Sequence, residues 1–173
     1  MEFQEVVRSR VSVREFRRDG EVTDEQVDRI LEAAVDAPSA GNRQPWHFIV
    51  VRDRALRLDL ARAAYGQAFV SEAPIVIAVC VEPARSSERY GGRGTELYCL
   101  QDAAAATEHI LLAATDLGLG TCWVGAFDER EAARALGLSK QLRPVALVPI
   151  GQPAREPGPR PARRPLREVI TYR

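Results

Sequence analysis

The chain is nearly devoid of lysine. Of its 24 basic residues only Lys140 is a lysine, so Schiff-base chemistry has one candidate, in a loop. Cysteine is sparse too: Cys80, Cys99 and Cys122 are isolated and odd in number, with no Cys-x-x-Cys. Only two histidines occur, His47 and His109, far apart in the chain. A disulfide framework and a zinc site are therefore not indicated, and no metal ligands are assigned. Cys80 and Cys122 lie in apolar strands and read as small core residues. Aromatics make up 6% of the chain, too few for a nucleic-acid stacking platform. Net charge is zero, 24 basic residues against 24 acidic ones. No global field steers the chain to nucleic acid or an anionic membrane. No apolar run approaches the roughly 20 residues of a membrane-spanning helix, and the acidic start Met-Glu-Phe-Gln-Glu lacks a signal-peptide pattern. The expectation is a cytoplasmic protein with no membrane or nucleic-acid partner.

What is present fits one domain over residues 1–173. Thr23-Asp-Glu-Gln26 is a capping box, followed by Val27, Ile30, Leu31, Ala34 and Val35 at helical spacing, and Pro38 stops that helix. Residues 47–52 and 75–81 read as strands, the second apolar on both faces as in a central strand. Residues 54–64 read as a helix and 83–95 as a polar loop. A core helix follows over about 96–117, apolar nearly all round, closed by Gly118 and Gly120. Residues 121–125 form a short strand, Asp128 caps a helix over 129–136, and 143–150 form another buried strand. Residues 153–165 hold five prolines and four arginines. Proline favours extended chain, so 151–173 reads as an arm ending in an edge strand over 166–172. An arm leaving its own core needs a partner surface, which points to a homodimer.

Three segments could carry chemistry. Arg8, Arg10, Ser12 and Arg14 alternate with Val11 and Val13. In extended chain this puts guanidinium groups and a hydroxyl on one face, a set that binds phosphate and polyol. The plain structural alternative is a solvated basic edge. Pro38-Ser-Ala-Gly-Asn-Arg-Gln-Pro-Trp46 offers Asn and Gln amides to the rim of a flat heterocycle, and Gly41 permits close backbone approach; the alternative is a structural turn. Gly118-Leu-Gly-Thr-Cys-Trp-Val-Gly125 places glycines around a short strand, as at a close ligand approach. It is not a dinucleotide fingerprint, because it opens no helix; the alternative is a tight helix-to-strand connection. No nucleophile–base arrangement is visible, so no catalytic side chain is named.

Taken in order, Arg-x-Ser-x-Arg, then Ala-Pro-Ser-Ala-Gly-Asn-x-Gln-Pro-Trp, then Gly-Leu-Gly-Thr-Cys-Trp-Val-Gly, the chain resembles the short form of the FMN-dependent nitroreductase family from Glu5 to Tyr172. The resemblance implies an α+β fold: a mixed, mostly antiparallel sheet flanked by helices, dimeric with an exchanged C-terminal arm. It implies that Arg10, Ser12 and Arg14 hold the phosphate, ribityl chain and pyrimidine side of FMN. Pro38, Ser39, Ala40 and Asn42 would contact the flavin from the other subunit. Val124 and Gly125 would offer backbone near flavin N5, and Arg163 and Arg164 would add phosphate contacts, with Arg160 also available. Gln67 matches a polar flavin contact. Val11 departs from relatives that carry a basic residue or histidine there, and the inserted helices of larger members are missing.

The activity so implied is hydride transfer from NADH or NADPH through FMN to a small nitroaromatic or quinone-like acceptor. The chemistry sits on the cofactor, which the protein orients. Arg14 would stabilise negative charge on the pyrimidine side; Tyr90, Phe69 and Trp123 are candidates for shaping the acceptor pocket, with plain core or loop packing as the equal alternative for each. Two alternatives stay open: flavin-dependent fragmentation or dehydrogenation of a biosynthetic intermediate, and a non-enzymatic flavin-binding module.

Overall fold

Ile75-Val-Ile-Ala-Val-Cys-Val81 is apolar at every position and buried at every position. The computed structural model, which describes residues 1–156, 158 and 160–173, makes this segment a central strand. The elements along the chain are α1 (Phe3–Ser9), α2 (Asp24–Val35), β1 (Trp46–Val51), α3 (Arg54–Ala63), α4 (Phe69–Glu72), β2 (Ile75–Val81), α5 (Pro83–Arg93), α6 (Cys99–Asp116), β3 (Gly120–Thr121), α7 (Glu129–Ala135) and β4 (Arg143–Gly151). The sheet order is β1-β2-β4-β3, with every neighbouring pair antiparallel. One further stretch, at Ser12, bridges Thr121 in parallel. The sheet is thus mixed and mostly antiparallel, as the resemblance implies.

Side-chain alternation along β2 and β4 divides the interior into two layers. Ile75, Ile77, Val79 and Val81, with Ala146, Val148 and Ile150, pack beneath α2 and α6. Val76, Ala78 and Leu147 face the other way, against Leu60, Ala61 and Ala63 of α3, Val70 of α4 and Ala132 of α7. The helix starts follow their caps. The Thr23 hydroxyl accepts from Gln26 N–H at 3.2 Å while Gln26 Oε1 accepts from Thr23 N–H at 3.0 Å, so the capping box is complete. Asp128 accepts from the N–H groups of Arg130 and Glu131. All three cysteines are buried. Burial pushes the Cys80 thiol up to about 12, which suits a packing role rather than a reactive one.

Three expectations need correction. Residues 83–95 are not a polar loop: α5 occupies 83–93, started by Pro83 in its first turn, where a missing N–H costs nothing. Its two glycines and polar residues hide that helix in the sequence. Arg8 lies in α1 and not in the extended stretch, so the alternation begins at Arg10. The arm ends in a 3₁₀ turn over Leu166–Glu168 instead of an edge strand, and residues 166–172 pair with no strand among the described residues. Within that arm, Pro157 and Pro159 lie outside the described residues.

Candidate functional site

The Arg10–Arg14 stretch is fastened along β3. Val13 N–H donates to Thr121 C=O at 2.8 Å, and Ser12 pairs with Thr121. Gly120 permits this, because a Cβ there would lie 2.8 Å from Val13 Cβ and 2.9 Å from both Val13 Cγ atoms. Farther on, Arg17 N–H donates to Gln152 C=O and Ala154 N–H to Glu15 C=O. The beginning of the arm therefore lies against the arginine stretch.

A cleft of about 670 Å³ opens between them, lined by Arg10, Ser12, Arg14, Glu15, Arg155 and Arg163 among others. Its charge is uneven. Arg155 is paired with Glu15 at 2.7 Å. Arg10, Arg14 and Arg163 have no carboxylate within 4.0 Å among the described residues. Three uncompensated guanidinium groups beside a hydroxyl suit a multiply charged anion. Arg14 is steadied from below by Phe69, whose ring centroid lies 5.8 Å from the guanidinium carbon. Cys122 sits underneath: burial raises its thiol pKa, and the charge of Arg14 partly offsets that rise, with Ser12 and Arg10 also acting on it.

Because Ser12 and Thr121 pair in parallel, the stretch runs in the same direction as residues 121–125, and Arg14 lies toward Val124 and Gly125. Val124 is buried, and both its backbone groups are spent: its N–H donates to Leu147 C=O at 2.9 Å and its C=O accepts from Leu147 N–H at 3.0 Å. Gly125 is exposed and donates to no backbone carbonyl among the described residues. The available donor in this pair is thus Gly125 N–H. Gln67 spends its amide on the carbonyls of Ala64 (3.0 Å) and Ala126 (3.1 Å), which braces the turn after Gly125.

The Pro38–Asn42 loop is built for a fixed shape. Gly41, Asn42 and Gln44 all have positive φ, at 56°, 56° and 48°, a region that costs ordinary residues energy. Ser39 Oγ accepts from Gln44 N–H at 3.1 Å. Asp102, buried on α6, accepts from Ala40 N–H at 3.0 Å through Oδ1 while its Oδ2 has no hydrogen-bond partner among the described residues. Burial raises the pKa of this carboxyl, and the Ala40 bond partly counters the rise.

These parts do not all meet. The loop precedes Trp46, which pairs with Val81 at one end of an edge strand. Thr121 pairs with Ile150, and Ile150 with Ile75, at the other end and the other edge. About four strand spacings, roughly 20 Å, separate the loop from the cleft across the sheet. Arg163 lines the cleft, whereas Arg164 turns to Glu168, with its Nε 3.6 Å from the carboxylate. Arg155, which the sequence reading did not single out, lines the cleft because Ala154 docks on Glu15; no local pattern signals so distant a pairing.

Comparison with known proteins places this arrangement. The family model described as the nitroreductase family matches residues 7–74 and 62–152. A protein of Methanothermobacter thermautotrophicus, provisionally named NADH dehydrogenase/NAD(P)H nitroreductase, is 38% identical over 164 residues, covering 92% of this chain and 82% of its own. The FMN reductase [NAD(P)H] of Bacillus subtilis is 32% identical over 165 residues, covering 87% of this chain and 66% of its own. Among solved structures, a nitroreductase family protein from Streptococcus pneumoniae superposes with a TM-score of 0.90 at 28% identity, covering 99% of this chain and 100% of that one.

Proposed function

The chain belongs to the nitroreductase family, and on that premise we propose that it is an FMN-dependent NAD(P)H oxidoreductase that reduces small nitroaromatic or quinone-like acceptors. The observation that carries this reading is the cleft along Arg10–Arg14, where Arg10, Arg14 and Arg163 lack carboxylate partners among the described residues.

FMN fits these residues. Its phosphate monoester needs two or more charge-assisted donors, which Arg10, Ser12 and Arg163 supply. Its ring system would lie toward Arg14 and the free N–H of Gly125. When bound, FMN supplies the two-electron carrier that takes hydride from the nicotinamide and delivers electrons to the acceptor. The protein's part is orientation and electrostatics. Arg14, resting on Phe69, would place positive charge beside the ring system, where it would favour the reduced, more negative form. Gly125 brings backbone close without a side chain in the way. No side chain serves as a nucleophile in this reading.

The separation of loop and cleft supports a homodimer in which Pro38, Ser39, Ala40 and Asn42 of one subunit complete the cleft of the other. The arm adds to that support. Leu166, Val169, Ile170 and Tyr172 are all exposed, an apolar series that a partner's surface would cover. Arg164 would then be free to leave Glu168, an exposed pair of small worth, for the phosphate.

Purification tests the core of the proposal. The protein should retain or take up FMN, show a flavin spectrum, lose it on anaerobic NAD(P)H titration, and run at twice the chain mass. A colourless protein that ignores added FMN would sink it.

A further inference from the structure

We propose that the Arg89–Tyr90–Tyr98–Arg93 cluster binds the 2′-phosphate of the nicotinamide reductant, so that the protein uses NADPH in preference to NADH. The proposal rests on the reading of Ser39–Asn42 as a cofactor-contacting loop, because the cluster adjoins that loop.

The cluster is assembled by unusual backbone. Gly91 sits inside α5 at φ 55°, ψ −140°, a region that only glycine enters without strain. The helix breaks there and resumes as a π turn over Gly94–Tyr98, a form common at functional sites. Gly94 packs directly on the backbone of Ser86, which leaves no room for a side chain. The consequence is that Tyr98 meets Tyr90 edge to face, with ring centroids 5.1 Å apart and an interplanar angle of 88°.

Each ring then carries a guanidinium. Arg89 lies 5.5 Å from the Tyr90 centroid and Arg93 lies 5.2 Å from that of Tyr98. Arg93 also donates from Nε to the Tyr98 hydroxyl at 2.8 Å. Their neighbours Arg43 and Arg85 are neutralised by Glu88 and Glu82. Arg89 and Arg93 have no carboxylate within 4.0 Å among the described residues. A guanidinium already braced on an aromatic ring loses less freedom when it binds an anion. Its remaining N–H groups match a phosphate fork.

Position selects the ligand. A Cβ on Gly41 would lie 3.2 Å from Arg89 Nη1 and 2.5 Å from the Tyr90 hydroxyl, so cluster and loop form one continuous surface. The nicotinamide has to reach the flavin beside that loop. The rest of the dinucleotide then extends over neighbouring surface, and the two guanidinium groups there, without a carboxylate partner among the described residues, suit a phosphate that NADPH carries and NADH lacks.

The test has two arms. Adenosine 2′,5′-bisphosphate and 5′-AMP are titrated calorimetrically into the protein, a measurement that needs no flavin turnover. The bisphosphate should bind at least about tenfold tighter, and Arg89→Gln with Arg93→Gln should erase the difference. In the FMN-loaded protein the same pair of substitutions should lower the NADPH-to-NADH ratio of kcat/KM about ten- to a hundredfold. Equal binding of the two nucleotides by the unaltered protein overturns the proposal, as does a ratio unchanged by both substitutions. Failure to take up FMN defeats the functional reading instead, and the calorimetric arm still decides this one.

Discussion

Replacing Arg14 by glutamine separates binding from folding. The Arg14 side chain is exposed, and its one ring contact is the 5.8 Å approach to Phe69. A cation–π contact at an exposed site is worth about 0.5–1 kcal/mol, so the folding free energy should fall by no more than about 1 kcal/mol. Toward FMN the loss is larger. A hydrogen bond to a charged group contributes about 1.5–3 kcal/mol, which corresponds to a Kd raised about ten- to a hundredfold. Urea unfolding of the flavin-free protein reads the first quantity, and quenching of flavin fluorescence on titration reads the second. The rate of flavin reduction at saturating NAD(P)H should fall as well, since the charge is removed from the ring and not only from the binding step. An Arg14→Gln protein that binds FMN as tightly as the parent would refute the placement of Arg14. A stability loss of several kcal/mol would refute the claim that its role lies outside folding.

Two further perturbations test the frame around the cleft. Gly120→Ala forces a Cβ to 2.8 Å from Val13 Cβ; overpacking of this kind costs about 1–3 kcal/mol and should lift the arginine stretch off β3, so stability and FMN affinity should fall together, checked by unfolding and flavin titration on one sample. Asp102→Asn keeps an acceptor for Ala40 N–H but removes a carboxyl whose pKa burial raises. A carboxyl with a raised folded pKa gives its full stabilisation below its unfolded pKa and loses it as pH rises through the folded one. The parent should therefore lose ground to Asp102→Asn as pH rises through and above the ordinary carboxylate range, measured by urea unfolding of both proteins at several pH values. A gap that is constant, or that changes in the opposite sense, would count against the buried Asp102.

Much of the fold is legible locally. Thr23 and Gln26 announce α2 through two side-chain bonds within four residues, and the unbroken apolar run 75–81 can hardly be anything but a central strand. The Arg10, Ser12, Arg14 alternation is legible too, because a strand's period places those side chains together whatever lies beside it. What stays hidden depends on distant neighbours. Pro83 to Arg93 looks like loop because its glycines and charges outweigh its helix formers; the close approach of Gly94 to the Ser86 backbone, which leaves no room for a side chain, has no local signature either. Arg155 gains its place through Ala154 and Glu15, which are far apart in sequence. Val124 and Gly125 look equivalent in the motif, yet pairing with Leu147 consumes the backbone of one and leaves the other free.

The gap of roughly 20 Å between loop and cleft makes the proposed shared site open to a complementation experiment. One chain carries Arg10→Gln and Arg14→Gln, which removes two of the three guanidinium groups that lack carboxylate partners in its cleft. The other carries Gly41→Val, which puts a branched side chain at φ 56° and into the space of the Tyr90 hydroxyl. Each homodimer then has two damaged sites. Random re-association makes half of the dimers mixed, and in a mixed dimer one site receives both damaged parts while the other receives neither. About a quarter of all sites should therefore regain parental FMN affinity and turnover, as the isologous geometry of a two-fold dimer requires. A site complete within one chain gives a different result: mixing restores nothing, because every chain keeps its own defect. The two outcomes cannot be confused, since recovery needs an intact cleft from one chain and an intact loop from the other.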